Sequence, residues 1–386
     1  MKFFGYNRPD GHVGVRNHVV VIPGVLCAEV AAKRIAQKTD AVFIYNPNGC
    51  GQCHKDTMAT LDILSGLIAN GNVYGALIVG LGCETIQESD YLNAVTAKTN
   101  KPVHYISIQA EGGIGKTVEA GVKIVTALNR EADQCFREEI DISELILGLE
   151  CGGSDPTSGF SSNTVLGSVC DTLVDCGGTA VLSETTEAIG AEHILKQRGR
   201  TPEIGQQLYD AVIRWEKDRS AESGENIRLN NPSPGNKASG LTTLTEKSLG
   251  CIHKSGTRPF EGLYEYGQLI DKKGLFFLNA TAYDVANVTA LAASGAQIIA
   301  FTTGRGNPVG NPVTPVIKIT GNRETAIRLN DFIDFDTSIS ITGAKSIEHL
   351  ADELLHYIIK VCNGEPVKAE DNGACEISIN QMYSYV

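Results

Sequence analysis

The sequence predicts an α/β protein built from two parallel-sheet units. Three observations predict it. At 386 residues the chain is longer than one small core accommodates. Short, continuously apolar runs alternate with amphipathic helical stretches, the pattern of strands covered on both faces by crossover helices. A polar stretch, NREADQCFREEIDIS at 129–143, interrupts the alternation and places a boundary near residue 140, giving domains 1–140 and 141–386.

In the first unit, HVVVIP (18–23) reads as a strand and CAEVAAKRIAQK (27–38) as its helix. AVFIY (41–45) is a second strand, followed by the loop NPNGCGQC and a helix over 56–69. ALIVGL (76–81) runs into GCE and a helix ending near Lys98. VHYISI (103–108) runs into QAEGGIGKT and a helix ending near Arg130. The second unit opens with LILGLE (145–150), the loop CGGSDPTSG and a helix over 161–176. TAVLSE (179–184) precedes a long helical region reaching Ser220. NNPSPGNKASG (230–240) reads as a long loop, a place where function concentrates. GLFFLNA (274–280), AQIIAFTTG (296–304) and PVIKIT (315–320) are further strands, and a helix over 346–362 closes the unit.

Composition excludes several classes. Net charge is −12 with no basic stripe, which argues against nucleic acid. No apolar run approaches the ~20 residues of a membrane span, so no membrane role is expected. The N-terminus, MKFFGYNRPDGHVGVRNH, lacks a signal-peptide apolar region, so a cytoplasmic protein is expected. In that reducing compartment eleven cysteines are not a disulfide framework. Cys27, Cys135, Cys170 and Cys176 read as small buried hydrophobes.

Cys50, Cys83 and Cys151 differ from these. Each follows a predicted strand and is flanked by glycine, where open α/β sheets bind ligands. Three thiols converging there would make a metal site with an open position; unrelated thiols are the plain alternative. Cys50-x-x-Cys53 also fits a dithiol at a helix start, which would make a thiol oxidoreductase. A structural zinc site lacks a second Cys/His pair. His54 beside them reads as a proton carrier or a polar helix-start residue.

EGGIGKT (111–117) lacks the glycine at 110 that a phosphate loop requires, and reads as a tight strand-to-helix turn. Arg8, Arg16 and Asn17 lie in a glycine-punctuated segment, and arginine suits a bidentate hold on a carboxylate or sulfonate. Arg305, in a loop after a strand, is a further anion contact. Lys237 and Lys247 lie in GNKASG and TEKSLG; partial burial lowers a lysine toward a usable base. Ser154 and Asp155 offer a hydroxyl and a carboxylate to a polyol.

GYNRPDGHVGVRNH, GCG, GLGCE, CGGSDPTSG, SETTEAIGAE (183–192), NPSPGNKASGLTTLTEKSLG (231–250) and TTGRGNPVGNP (302–312) together resemble the altronate dehydratase/galactarate dehydratase family, in order from about residue 4 to about 320. The resemblance implies a sugar-acid dehydratase requiring iron, as Fe2+ or an iron–sulfur cluster, and reducing conditions. It implies a dimerising first domain and a Rossmann-like second domain with an unusual crossover. The small N-terminal β-clip domain of full-length members is expected as a separate small subunit. A related branch is the large subunit of sulfolactate sulfo-lyase. The family's cysteine motifs fall on Cys50, Cys83 and Cys151, which become the expected iron ligands, and this weakens the dithiol reading of Cys53.

The expected reaction is β-elimination of water from a 2,3-dihydroxy acid, giving a 2-keto-3-deoxy acid. Arg8, Arg16, Asn17, Ser154, Asp155, Lys237 and Arg305 are expected to bind substrate, and Lys247 or His54 to act as base. In the sulfo-lyase version sulfite leaves instead.

Overall fold

The computed structural model describes residues 1–383 and Tyr385. The chain opens with β1 (Lys2–Asn7) and β2 (Val13–Gly14), an antiparallel pair. Phe3 and Gly5 of β1 are buried and Lys2 and Phe4 exposed, the period-two signature of a strand with one wet face.

Four strands follow: β3 (His18–Pro23), β4 (Val42–Phe43), β5 (Val73–Gly80) and β6 (Val103–Ser107). They form a wholly parallel sheet in the order β4-β3-β5-β6. Alternate residues of β3 enter different cores: Val19 and Val21 on one side, Val20 and Ile22 on the other. Both faces are dry, which is why the strand reads as a continuous apolar run. Strand β7 (Glu138–Asp141), within the polar boundary stretch, returns to pair antiparallel with β1.

Seven parallel strands make the second sheet: β8 (Ile146–Cys151), β9 (Thr179–Leu182), β10 (Phe260–Glu265), β11 (Gly274–Asn279), β12 (Ile298–Thr302), β13 (Val316–Thr320) and β14 (Phe335–Asp336). Their order is β10-β11-β9-β8-β12-β13-β14. The chain passes from β9 to the edge at β10, then steps back so that β11 fills the gap. Parallel neighbours normally need a crossover of a dozen or more residues with a helix; β10 and β11 are joined by 266–273 without one. The family resemblance implies an unusual crossover in this domain, and a helix-free connection of this length is one.

The two parallel sheets share a core. The helix His54–Ala69 of the first packs on the helix Asp284–Ala293 of the second, and a Cβ at Gly66 would lie 2.3 Å from the Ala293 carbonyl oxygen. In the second sheet the winding reverses between β8 and β12. Crevices at such points, beyond the carboxyl ends of strands, are where ligands bind. Among the described residues no helix is long and apolar enough to cross a membrane.

Candidate functional site: a buried ion cluster beneath two cavities

Cys151 is the last residue of β8. Glu184 and Glu187 follow β9 in a single 3-10 turn, with Glu184 in the left-handed region at φ +68°. A non-glycine residue held there is costly and requires a surrounding that fixes it. Lys247 and Cys251 lie on the helix Leu244–Ile252, which Thr243 caps by accepting a hydrogen bond from the Glu246 amide. Their i, i+4 spacing puts both side chains on one face. Lys254 follows on the next turn.

These six side chains meet. Lys254 Nζ donates to Cys251 Sγ at 2.9 Å, to Cys151 Sγ at 3.1 Å and to the Glu184 carboxylate. The two sulfurs are 3.6 Å apart, and Cys151 Sγ also lies 3.2 Å from Glu187 Oε2. Lys247 Nζ pairs with Glu187 Oε1 at 2.5 Å. Glu184 and Lys254 are fully buried and Glu187 is 3% exposed.

The charges balance. Burial opposes the Lys254 ammonium, but Cys151, Cys251, Glu184 and Glu187 outweigh it and hold the group protonated. Burial opposes Lys247 as well, and Glu187 raises it above its ordinary value. Glu187 is pushed up by burial and pulled further down by Lys247 and Lys254, ending below its usual range. The hydrogen bond from Cys151 favours the thiolate of Cys251 and keeps Cys151 a thiol. Burial pushes Glu184 well up. Two ammonium groups thus face two carboxyl groups and two sulfurs, the close pairing that buried charges require.

Two cavities open onto this cluster, and Lys247 lines both. One, of about 250 Å³, is bounded by Cys151, Ser154, Lys247 and Cys251, with Phe160 and Leu249 at its rim. The other is an open cleft of about 760 Å³ lined by Gly152, Glu187, Arg219, Asn236, Lys247 and Asp284. Burial, and then the charge of Glu187, push the Asp284 carboxyl up to about 6. Arg219 stacks on Trp215 at 5.0 Å and pairs with Glu222, and its Nε has no protein partner.

The predicted residues fare unevenly. Lys247 is in the site, paired with Glu187, whose charge raises it above its ordinary value where the expected base needs it lowered. Ser154 and Asp155 line the smaller cavity. The Ser154 hydroxyl has no protein partner, while Asp155 accepts from Thr157, Ser158 and Asn322 and so organises its own loop. Arg8, Arg16 and Asn17 are not at the site. Arg8 is spent on the Gly71 and Arg16 carbonyls and on Asn17. Arg16 is spent on Glu370 and on the carbonyls of Val15, Val361 and Glu365. Asn17 donates to the Ala132 carbonyl. With their donors committed inside the protein, these residues hold segments together rather than an anion. Where a long loop is expected at 230–240 the structure has a short helix, Pro234–Ala238, capped by Ser233, and Arg305 pins it through the Gly235 carbonyl and the Ser239 hydroxyl. Lys237 is exposed and donates to the Leu229 carbonyl. His54 is exposed and lines a separate groove of about 450 Å³, which meets the cleft at Trp215 and Arg219.

The three predicted metal ligands are not assembled. Cys50 and Cys83 are exposed on neighbouring loops of the first sheet, where Thr85 reaches Cys50 Sγ at 3.6 Å, while Cys151 is buried in the cluster. Metal-bound thiolates sit about 2.3 Å from a shared ion, which requires closely grouped sulfurs. Among the described residues the four ligand atoms that lie within 4.8 Å of one another belong to Cys151, Glu184, Glu187 and Cys251. Lys254 Nζ contacts three of those four, so the quartet already holds a cation of its own. Iron held by Cys50, Cys83 and Cys151 therefore does not fit this arrangement. Cys53 turns to Asp56 rather than to Cys50, and Cys27, expected to be buried, is exposed.

Sequence reasoning missed Glu184, Glu187, Cys251, Lys254, Arg219 and Asp284. A signal existed for the first two: SETTEAIGAE follows a predicted strand, with glutamates three apart on one turn.

Comparison with known proteins gives consistent matches along the chain. Residues 142–385 match the family model described as D-galactarate/altronate dehydratase, C-terminal. Residues 5–133 match that described as D-galactarate dehydratase/altronate hydrolase, second domain. An altronate dehydratase of Bacillus subtilis is 35% identical, covering 98% of this chain and 77% of that protein. A galactarate dehydratase (L-threo-forming) of Escherichia coli is 34% identical, over 94% and 73%. A (2R)-sulfolactate sulfo-lyase subunit beta of Chromohalobacter salexigens is 31% identical, over 99% and 97%.

Proposed function

The chain belongs to the galactarate/altronate dehydratase family, and from that premise we propose that it removes water from an altronate-type 2,3-dihydroxy acid in the cleft above Glu187, Lys247 and Asp284. The observation that carries this reading is the pairing of opposite proton functions in one cleft. Asp284, lifted to about 6, is poised near neutral pH to accept a proton, and Lys247, kept charged by Glu187, is poised to donate one.

Asp284 takes the proton from the carbon next to the substrate carboxylate. Lys247 gives a proton to the hydroxyl leaving the adjacent carbon, which then departs as water. The resulting enol tautomerises to the 2-keto-3-deoxy acid. Arg219, backed by the Trp215 ring and lining the cleft, holds the carboxylate at the mouth. Asn236 and the backbone at Gly152 line the cleft where a polyol needs hydrogen-bond partners. No step is assigned to iron.

The sulfo-lyase reading is retained for a specific reason. A relative named as sulfo-lyase subunit beta is 31% identical over 99% of this chain, an identity close to the 34–35% of the dehydratases. In that version sulfite is the leaving group, and a small second subunit completes the enzyme.

The test is an anaerobic activity screen on D-altronate, galactarate and sulfolactate, with the chain alone and with a co-expressed small subunit. The dehydratase reading expects a 2-keto acid without sulfite. Sulfite release from sulfolactate alone would move the assignment to the second reading. Undiminished turnover in Asp284→Asn would remove Asp284 from the mechanism.

A further inference from the structure

We propose that Cys151 and Cys251 form a site of oxidative modification, closing to a disulfide when a small peroxide enters the cavity beside them. Three features carry this. The sulfurs are 3.6 Å apart, already in contact, and a bond at about 2.05 Å needs only a modest approach. Both residues line the cavity of about 250 Å³, whose rim carries the exposed Phe160 and Leu249, so a molecule the size of hydrogen peroxide has a route to otherwise buried sulfurs. Lys254 Nζ lies within hydrogen-bonding distance of both sulfurs, where it favours negative charge on whichever one attacks.

The electron count closes on the two thiols and one peroxide. The sulfur of Cys251, having given up its proton, attacks one peroxide oxygen and breaks the O–O bond. This leaves a sulfenic acid, and the other oxygen departs as hydroxide and takes up the released proton. Cys151 sulfur then attacks the sulfenic sulfur, forming the S–S bond. The sulfenic hydroxyl leaves with the Cys151 proton as a second water. Two thiols are oxidised by two electrons and one peroxide is reduced. Neither cysteine of CGQC shares this arrangement, since the half-buried Cys53 faces Asp56 and the exposed Cys50 faces Thr85.

Closure has a consequence for the cleft. Cys251 lies one turn beyond Lys247 on the same helical face, so drawing it toward β8 moves the lysine against Glu187. The oxidised chain is therefore expected to lose activity, and to regain it with dithiothreitol. This consequence rests on the dehydratase reading; the chemistry at sulfur does not.

The experiment uses the full chain, reduced and then treated with hydrogen peroxide. It is quenched with an alkylating agent under denaturing conditions and mapped as peptides without reductant. The expected result is the Cys151 peptide joined to the Cys251 peptide, two hydrogens lighter than the separate pair and parted by dithiothreitol. Cys170, equally buried, should stay alkylatable. Recovery of Cys151 and Cys251 as free thiols after the exposed cysteines have reacted would overturn the proposal, as would a cross-link from either one to a different cysteine. In Cys251→Ser, checked for folding by circular dichroism, the linked peptide must be absent and Cys151 must be recovered unlinked; a new Cys151 cross-link there would also overturn it. If the map succeeds and activity does not change, the modification site stands and the reading of the cleft fails.

Discussion

The ammonium of Lys247 and the carboxylate of Glu187 stand 2.5 Å apart at the floor of the cleft, with side chains only 8% and 3% exposed. Removing one partner strands the other in a dry setting, and such changes cost about 3–5 kcal/mol. Glu187→Gln and Lys247→Met are each expected to destabilise by that amount in urea unfolding. Lys247→Met/Glu187→Leu together should cost less than the sum, because neither charge is then left unpaired. The pH dependence has a definite sign. Glu187 is held below its ordinary value, so its contribution is present above about pH 4 and is lost as pH falls through the folded value. Lys247 is raised, so its contribution is complete below its ordinary value and is lost only as strong alkali passes the folded value. Melting temperature should be flat across neutral pH and drop on acidification.

Asp284 is expected to separate activity from stability. Its folded value, about 6, lies above the ordinary 3.8, so folding favours the protonated form. Stability is therefore drained as pH rises between those values. Asp284→Asn should be no less stable than the parent at pH 7.5, by thermal unfolding. Loss of a general base typically costs 10²–10⁴-fold in kcat. In the parent, kcat should rise with pH through a limb centred near 6, and that limb should vanish in the variant. A variant that unfolds while the remaining folded fraction keeps full kcat would mark Asp284 as structural.

Much of the fold was legible because buried parallel strands advertise themselves. HVVVIP and ALIVGL are apolar on both faces, and the helices between them are amphipathic. β10 was not legible. FEGLYE carries a glycine and two glutamates, and five of its six residues are partly or fully exposed at the sheet edge. In the site, Cys151 was found from a glycine-rich loop after a strand, and Lys247 as a lysine of TEKSLG open to burial. Lys254 was not, because only tertiary packing reveals that the lysine in HKSG is fully buried. Arg8 and Arg16 failed for the converse reason: sequence shows an arginine but not where its donors are spent.

That reassignment is testable by comparing two arginines. Arg16 forms a fork to Glu370, with Nε and Nη2 each 2.8 Å from a carboxylate oxygen. Arg16→Ala is expected to lower stability by about 1–3 kcal/mol, as loss of a part-buried charged hydrogen bond does, while leaving KM unchanged in the folded enzyme. Arg219→Ala should do the opposite. Losing a charge-assisted hold on the substrate carboxylate, worth about 1.5–3 kcal/mol, raises KM roughly 10–100-fold. A KM effect at Arg16 and none at Arg219 would return anion binding to the N-terminal segment.

The last prediction concerns the cation of the buried quartet. Lys254 Nζ reaches both sulfurs and Glu184, while Cys151, Glu184, Glu187 and Cys251 present S and O donors suited to zinc or cobalt. An ammonium and a divalent ion compete for the same negative charge. Lys254→Met removes the resident cation without removing a donor, and should destabilise the chain by about 3–5 kcal/mol. In reducing buffer, Zn2+ should restore much of that loss in Lys254→Met, because an ion that binds only the folded state stabilises it by mass action. The same Zn2+ should leave the parent's melting temperature unchanged, since Lys254 already fills the role. With Co2+, thiolate-to-metal absorption should appear in the variant and not at this site in the parent. Rescue that persists in Lys254→Met/Cys251→Ala would place the metal elsewhere, at the exposed cysteines Cys50 and Cys83 for example, and would revive the arrangement that the sequence first suggested.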